Sequence, residues 1–101
     1  MRRVTENDIA TAIMQIAVQR PNGLVTFKRA YDEVPKHVQL SSADLAQSVT
    51  RPNEQMWQQL VRNIRSHFQA DGNFIKAGLL EHVKNVGYKV TDKGRDYLNE
   101  L

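Results

Sequence analysis

Apolar residues recur along the chain in two distinct rhythms. From Thr5 the run T-E-N-D-I-A-T-A-I-M-Q-I-A-V-Q-R carries Ile9, Ile13, Ile16 and Ala17 at helical spacing, with Thr5 placed to take up a free amide at the start. Pro21-Asn22-Gly23 stops this first helix. Leu24 and Val25 make only a strand stub before Thr26, which reads as the cap of a second helix through Phe27, Ala30, Tyr31 and Val34 that ends at Pro35. Ser41-Ser42-Ala43-Asp44 reads as a further cap leading into one helical turn at Leu45-Ala46, and the segment to Pro52 reads as loop. The strongest period begins at Asn53, whose side chain is expected to cap a helix with Trp57, Leu60, Val61, Ile64 and Phe68 on one stripe. Asp71-Gly72-Asn73 breaks that helix and Phe74 to Gly78 adds a turn. The rhythm then shortens to that of strands: Leu79 to Val83 and Tyr88 to Val90 flank the turn residues Lys84-Asn85-Val86-Gly87 and predict a short hairpin. Thr91 caps a last helix, Asp92 to Leu101.

The 101 residues hold one domain, 1–101, with no repeat or internal linker. Without cysteine, disulfides and thiolate metal sites are excluded, and a chain of this size can be stabilised by its apolar core alone. No apolar run approaches the roughly 20 residues of a membrane span, and polar Thr5 to Asp8 after Met-Arg-Arg is unlike a signal peptide, so a soluble, cytoplasmic protein is expected. The 14 Lys and Arg against 11 Asp and Glu leave a formal charge of only +3, too small to prove nucleic-acid binding by itself.

Catalytic chemistry is not expected. Metal-dependent phosphodiester cleavage needs clustered carboxylates with a lysine, and Glu81 and Lys84 have no partner acid nearby. His37, His67 and His82 lack ligand spacing, no Gly-rich phosphate loop is present, and Ser41 and Ser42 have no neighbouring base. Neither a cofactor nor a metal is called for. What stands out is the polar face of the Asn53 helix, where Gln55, Gln58, Gln59, Arg62, Arg65, Ser66 and Gln69 are opposed only by Glu54. Gln and Arg carry the forked donors and acceptors that read purine edges or clamp phosphates, although the same residues also serve an ordinary solvated helix face. Residues 84–95 contain Lys84, Lys89, Lys93 and Arg95 against Asp92, a local +3 equal to the whole chain's excess. Such lysines either meet phosphates or keep a hairpin edge unpaired. Arg2 and Arg3 offer a short basic arm or a frayed end.

Helix, strand stub, helix, loop, polar-faced helix, hairpin and helix is the order of a winged helix-turn-helix domain: α+β and mostly α, with a three-helix core, a short β-hairpin wing and a C-terminal helix. Ala77-Gly78-Leu79-Leu80-Glu81 followed by Gly87-Tyr88-Lys89-Val90-Thr91-Asp92-Lys93-Gly94-Arg95 resembles a signature of prokaryotic winged-helix proteins. Arg51-Pro52-Asn53-Glu54, Trp57, Val61-Arg62-Asn63 and Gly78-Leu79-Leu80 resemble the N-terminal winged helix of Mrr-type restriction proteins, over about residues 24 to 98. That resemblance implies a recognition helix at about 53–70 in the major groove and a wing at about 79–90 on the backbone. The residues it points to for DNA are Gln55, Gln58, Gln59, Arg62, Arg65, Ser66, Lys84, Asn85 and Lys89. The implied partner is double-stranded DNA, with the chain acting as the specificity part of a restriction-type system or as a small transcriptional regulator. The nuclease domain of such proteins has no counterpart in this sequence, so a nuclease domain or subunit is a further expected partner. A homodimer through the first and last helices, joined by exposed parts of Tyr97, Leu98 and Leu101, is also expected. The competing class is a winged-helix protein-interaction or dimerisation module without DNA binding.

Overall fold

The computed structural model describes residues 3–101, so Arg2 of the expected basic arm lies outside the described residues. Helix α1 spans Glu6–Ala17. The Thr5 hydroxyl accepts from the Asp8 amide at 3.1 Å and the Asp8 carboxylate accepts from the Thr5 amide at 2.9 Å, so two orphan donors are satisfied reciprocally. Its inner face buries Ile9, Ala10, Ala12, Ile13, Met14, Ile16 and Ala17. Asn22, at φ 61°, turns the chain into β1 (Leu24–Thr26). Thr26 closes that strand and caps α2 (Phe27–Glu33), accepting from the Arg29 amide at 3.2 Å. Pro35 falls in the 3-10 turn Val34–Lys36 that ends α2. Ser41 and Asp44 cap the short α3 (Ser42–Leu45). Buried Asp44 also accepts from the Val4 amide at 3.1 Å, which ties the segment before α1 to the middle of the chain.

The stretch after α3 is more ordered than a loop. Gln47 pairs with Gln55 in an antiparallel bridge, the Ser48 amide donates to Glu54 O at 2.7 Å, and the Met56 amide donates to Ala46 O at 2.9 Å. Asn53 sits at the turn of this loop with φ 67°, a conformation asparagine tolerates, and does not cap the helix. Helix α4 therefore runs Met56–Ser66, with Gln55 at the cap position, shorter than the expected 53–70. Phe68 falls in the turns beyond the helix and is 50% exposed, off the apolar stripe to which the period assigned it. The helix ends there because buried Asn73 reaches back, its amide nitrogen donating to Ile64 O at 2.9 Å while its oxygen accepts from the Ile75 and Lys76 amides.

Strands β2 (Leu80–Val83) and β3 (Gly87–Val90) form the expected hairpin, and β1 adds to its other side, giving an antiparallel three-stranded sheet in the order β1-β3-β2. Register pairs Leu24, Val25 and Thr26 with Lys89, Tyr88 and Gly87. Gly87 is needed there because a Cβ would collide with the Val25 carbonyl oxygen. Thr91 caps α5 (Asp92–Asn99), accepting from the Gly94 amide at 2.9 Å. The result is an α+β domain in which α1 lies at the centre, packed by α4, α5 and the sheet. Leu60 is half-buried at the edge of the core. The apolar residues of α1 are consumed inside, so its outer side presents Asn7, Thr11 and Gln15 where an apolar dimer patch was expected. Tyr97 and Leu98 also pack on the core, leaving Leu101 exposed. Among the described residues no helix is long and apolar enough to cross a membrane.

Candidate nucleic-acid interface

Helix α4 is held from both sides by aromatic rings. Trp57, Val61 and Ile64 point inward, Trp57 Nε1 donates to Gln55 Oε1 at 2.8 Å, and Tyr31 of α2 meets the Trp57 ring edge-on at 6.3 Å. From the sheet, fully buried Tyr88 donates its hydroxyl to Val61 O at 2.6 Å and accepts from the Arg65 amide at 3.2 Å. Burial pushes the Tyr88 phenol well above its ordinary value and keeps it neutral.

The glutamines expected to read bases are partly engaged inside the protein. Gln55 occupies the cap position and accepts from Trp57. Gln58 Oε1 accepts from the Gln55 amide at 2.8 Å, and Gln59 Oε1 accepts from the Ser48 hydroxyl at 2.7 Å. In each case the carbonyl end is bonded, and the amide nitrogens of Gln58 and Gln59 have no partner among the described residues. Arg62 Nη2 meets Glu54 Oε2 at 2.7 Å, with the two side chains 28% and 16% exposed. That hydrogen bond is the main reason the Arg62 pKa is raised. Arg62 Nε and Glu54 Oε1 are buried without a hydrogen-bond partner among the described residues. Arg65 lays its guanidinium over the Phe27 ring, 4.9 Å from the centroid. Exposed Ser66 donates to Arg62 O at 3.3 Å.

Lys84 and Asn85 lie exposed in the β2–β3 turn, Asn85 at φ 64°. The turn is fastened to the start of α2, since the Phe27 amide donates to Val86 O at 3.0 Å. The Phe27 ring also contacts Tyr88 edge-on at 5.4 Å and His82 at 6.1 Å. Phe27 thus brings the hairpin turn and the C-terminal half of α4 together. Lys89, by contrast, lies on the face of the sheet opposite Tyr88, beside Glu81 and Leu24, and so apart from α4. Burial first, and then the Arg65 charge, lower the His82 pKa below its ordinary 6.5.

Three residues of this surface escaped the sequence pattern. The half-buried Tyr31 phenol on α2 is raised chiefly by burial, with smaller influences from the charges of Arg62, Glu54, Arg65 and Arg51. Arg51 belongs to the loop tip, held by the Ser48 hydroxyl, which accepts from the Thr50 and Arg51 amides at 3.2 Å. At the same tip Val49 is 93% exposed. The i, i+4 spacing of Phe27 and Tyr31 was the available signal, but it read only as an apolar helix face.

The site supplies cationic donors, amides and an aromatic floor, which suits binding an anionic backbone. Among the described residues no three histidines or carboxylates gather into a metal-binding group. Comparison with protein-family models, curated proteins and solved structures finds no match to this chain.

Proposed function

We propose that the chain is a winged-helix DNA-binding module, with α4 as the recognition helix and the β2–β3 hairpin as the wing. One observation carries the reading: the sheet order β1-β3-β2, with β1 between the first two helices and the hairpin directly after α4, sets an arginine-bearing helix beside a lysine-bearing turn. That adjacency is what reading a major groove while gripping the flanking backbone requires. Arg62 and Arg65 on α4, with Lys84 on the hairpin turn, serve the phosphates, and the amide groups of Gln58 and Gln59 serve base edges, while Lys89, on the other face of the sheet, is left out of this surface. With the Mrr-type resemblance, the module is the specificity part of a restriction-type system, its nuclease supplied by another domain or subunit.

A salt titration of binding to random duplex DNA tests this. Three neutralised phosphates predict that log K falls about 2.7 units per decade of salt, so raising salt from roughly 50 to 200 mM weakens binding on the order of 40-fold. A flat response rejects the reading.

A second reading, a protein-interaction module, has its own support. A groove of about 520 Å³ lies along the free edge of β2, lined by Arg65, Phe68, Ile75, Leu80 and His82 among others. A flat salt response favours that reading over DNA.

A further inference from the structure

The pair formed by Glu54 and Arg62 is incomplete in an informative way. The Nε and Nη2 atoms of a guanidinium share one edge, and a carboxylate meeting that edge squarely makes two parallel bonds. Here Nη2–Oε2 is bonded at 2.7 Å, while Arg62 Nε and Glu54 Oε1 stay buried and idle. A pair serving structure alone gains by closing the second bond, because an idle buried donor keeps its desolvation cost.

The surroundings of the pair are cationic. Arg65 lies one helical turn from Arg62 on α4, and its guanidinium is steadied over Phe27. Tyr31 lies four residues after Phe27 on α2 and is fixed edge-on to Trp57. Arg51 is presented by the loop whose other limb carries Glu54, the two limbs being joined by the Ser48–Glu54 backbone bond. Arg62 and Arg65 of α4 and Tyr31 of α2 thus border the α2–α4 junction, with Arg51 on the loop that also carries Glu54.

We propose that Tyr31, Arg51, Arg62 and Arg65 form a receptor for one backbone phosphate of duplex DNA, and that Glu54 occupies it in the free protein. The inference rests on the DNA-binding reading and adds to it a site and a competitor for that site. On binding, a phosphate takes the Nε–Nη2 edge of Arg62, the phenol donates to a second phosphate oxygen, and the Glu54 carboxylate is displaced into solvent. The negative charge of Glu54 thus opposes DNA at the helix that reads it, which weakens binding to every sequence alike.

Fluorescence anisotropy with a short labelled duplex, across a salt series, tests the proposal on four forms: wild type, Glu54→Gln, Arg51→Ala and Tyr31→Phe. Glu54→Gln keeps the size of the side chain and an oxygen for Arg62, so its thermal unfolding should stay near wild type. It should bind on the order of tenfold more tightly at low salt, because the phosphate no longer has to displace a carboxylate from Arg62. Arg51→Ala should lower the slope by up to about 0.9. Tyr31→Phe keeps the ring on Trp57 and should weaken binding about 2- to 10-fold, the worth of one hydrogen bond. Inorganic phosphate, used as competitor at constant ionic strength, should displace DNA from Glu54→Gln more readily than from wild type. If wild type binds DNA with a steep slope that Lys84→Ala reduces, yet Glu54→Gln, Arg51→Ala and Tyr31→Phe bind like wild type, the receptor is wrong and the DNA reading stands. If wild type shows no salt-dependent binding, both fall.

Discussion

Replacing Tyr88 by Phe removes one oxygen from the centre of the protein, and the structure allows its cost to be worked out. The hydroxyl donates to Val61 O at 2.6 Å and accepts from the Arg65 amide at 3.2 Å. Those two groups are four residues apart on α4, the acceptor and donor that a helix pairs with each other. The phenol therefore stands at the helical ladder itself and fastens α4 to β3. Two net hydrogen bonds are worth about 1–3 kcal/mol. Because Val61 O and the Arg65 amide are in register for the helical ladder, neither is orphaned when the phenol goes, and the lower part of that range, about 1–2 kcal/mol, is expected. Against the roughly 5–15 kcal/mol that holds a domain together, this is a large fraction. At about 4–8 °C per kcal/mol for a domain near this size, the melting temperature should fall roughly 4–16 °C. Urea unfolding followed by far-ultraviolet circular dichroism should give a lower midpoint with an unchanged slope. Amide exchange should report whether the Arg65 amide keeps its protection through the helical bond alone. A midpoint equal to wild type would refute the argument that the hydroxyl fastens helix to sheet.

Core and stripe positions separate in a paired test: Ile64→Ala should cost about 2–5 kcal/mol, and Phe68→Ala, at a half-exposed site, no more than about 0.5 kcal/mol, both read from urea midpoints. Similar losses at the two sites would place Phe68 in the core after all. Gly87→Ala forces a Cβ against the Val25 carbonyl and should cost about 1–3 kcal/mol or more by separating β1 from β3, visible as lost amide protection in Leu24–Thr26; unchanged protection there would contradict the register. His82 has a folded pKa below 6.5, so its protonation favours the unfolded chain. Its contribution is complete above pH 6.5 and is lost as the pH falls from there toward the lower folded value. His82→Gln should flatten the wild-type decline in urea midpoint as the pH falls below 6.5, and an identical decline in the variant would assign it to other groups.

The sequence by itself determined the order and type of the main elements, because the interactions that start and stop them reach only a few residues. Thr5, Thr26, Ser41 and Thr91 all cap the helices that follow them, each bonding an amide three residues on. The apolar period likewise places Trp57, Val61 and Ile64 in the core. Where the period was carried past the helix it failed: Phe68 continues the stripe in sequence, but Asn73 ends the helix from outside the window. Tertiary structure alone decided that β1 joins β3, a strand more than sixty residues later, and that Asp44 holds Val4. It also decided what the candidate DNA-reading side chains have left to offer. Gln59 is bonded to Ser48, Arg62 to Glu54, and Lys89 lies on the far face of the sheet from the helix it was grouped with. A residue's type states which donors and charges it brings, and local sequence states which element carries it. Whether those groups are free for a phosphate depends on what packs across from them, and here those partners come from a loop, a second helix and a sheet brought together only by folding.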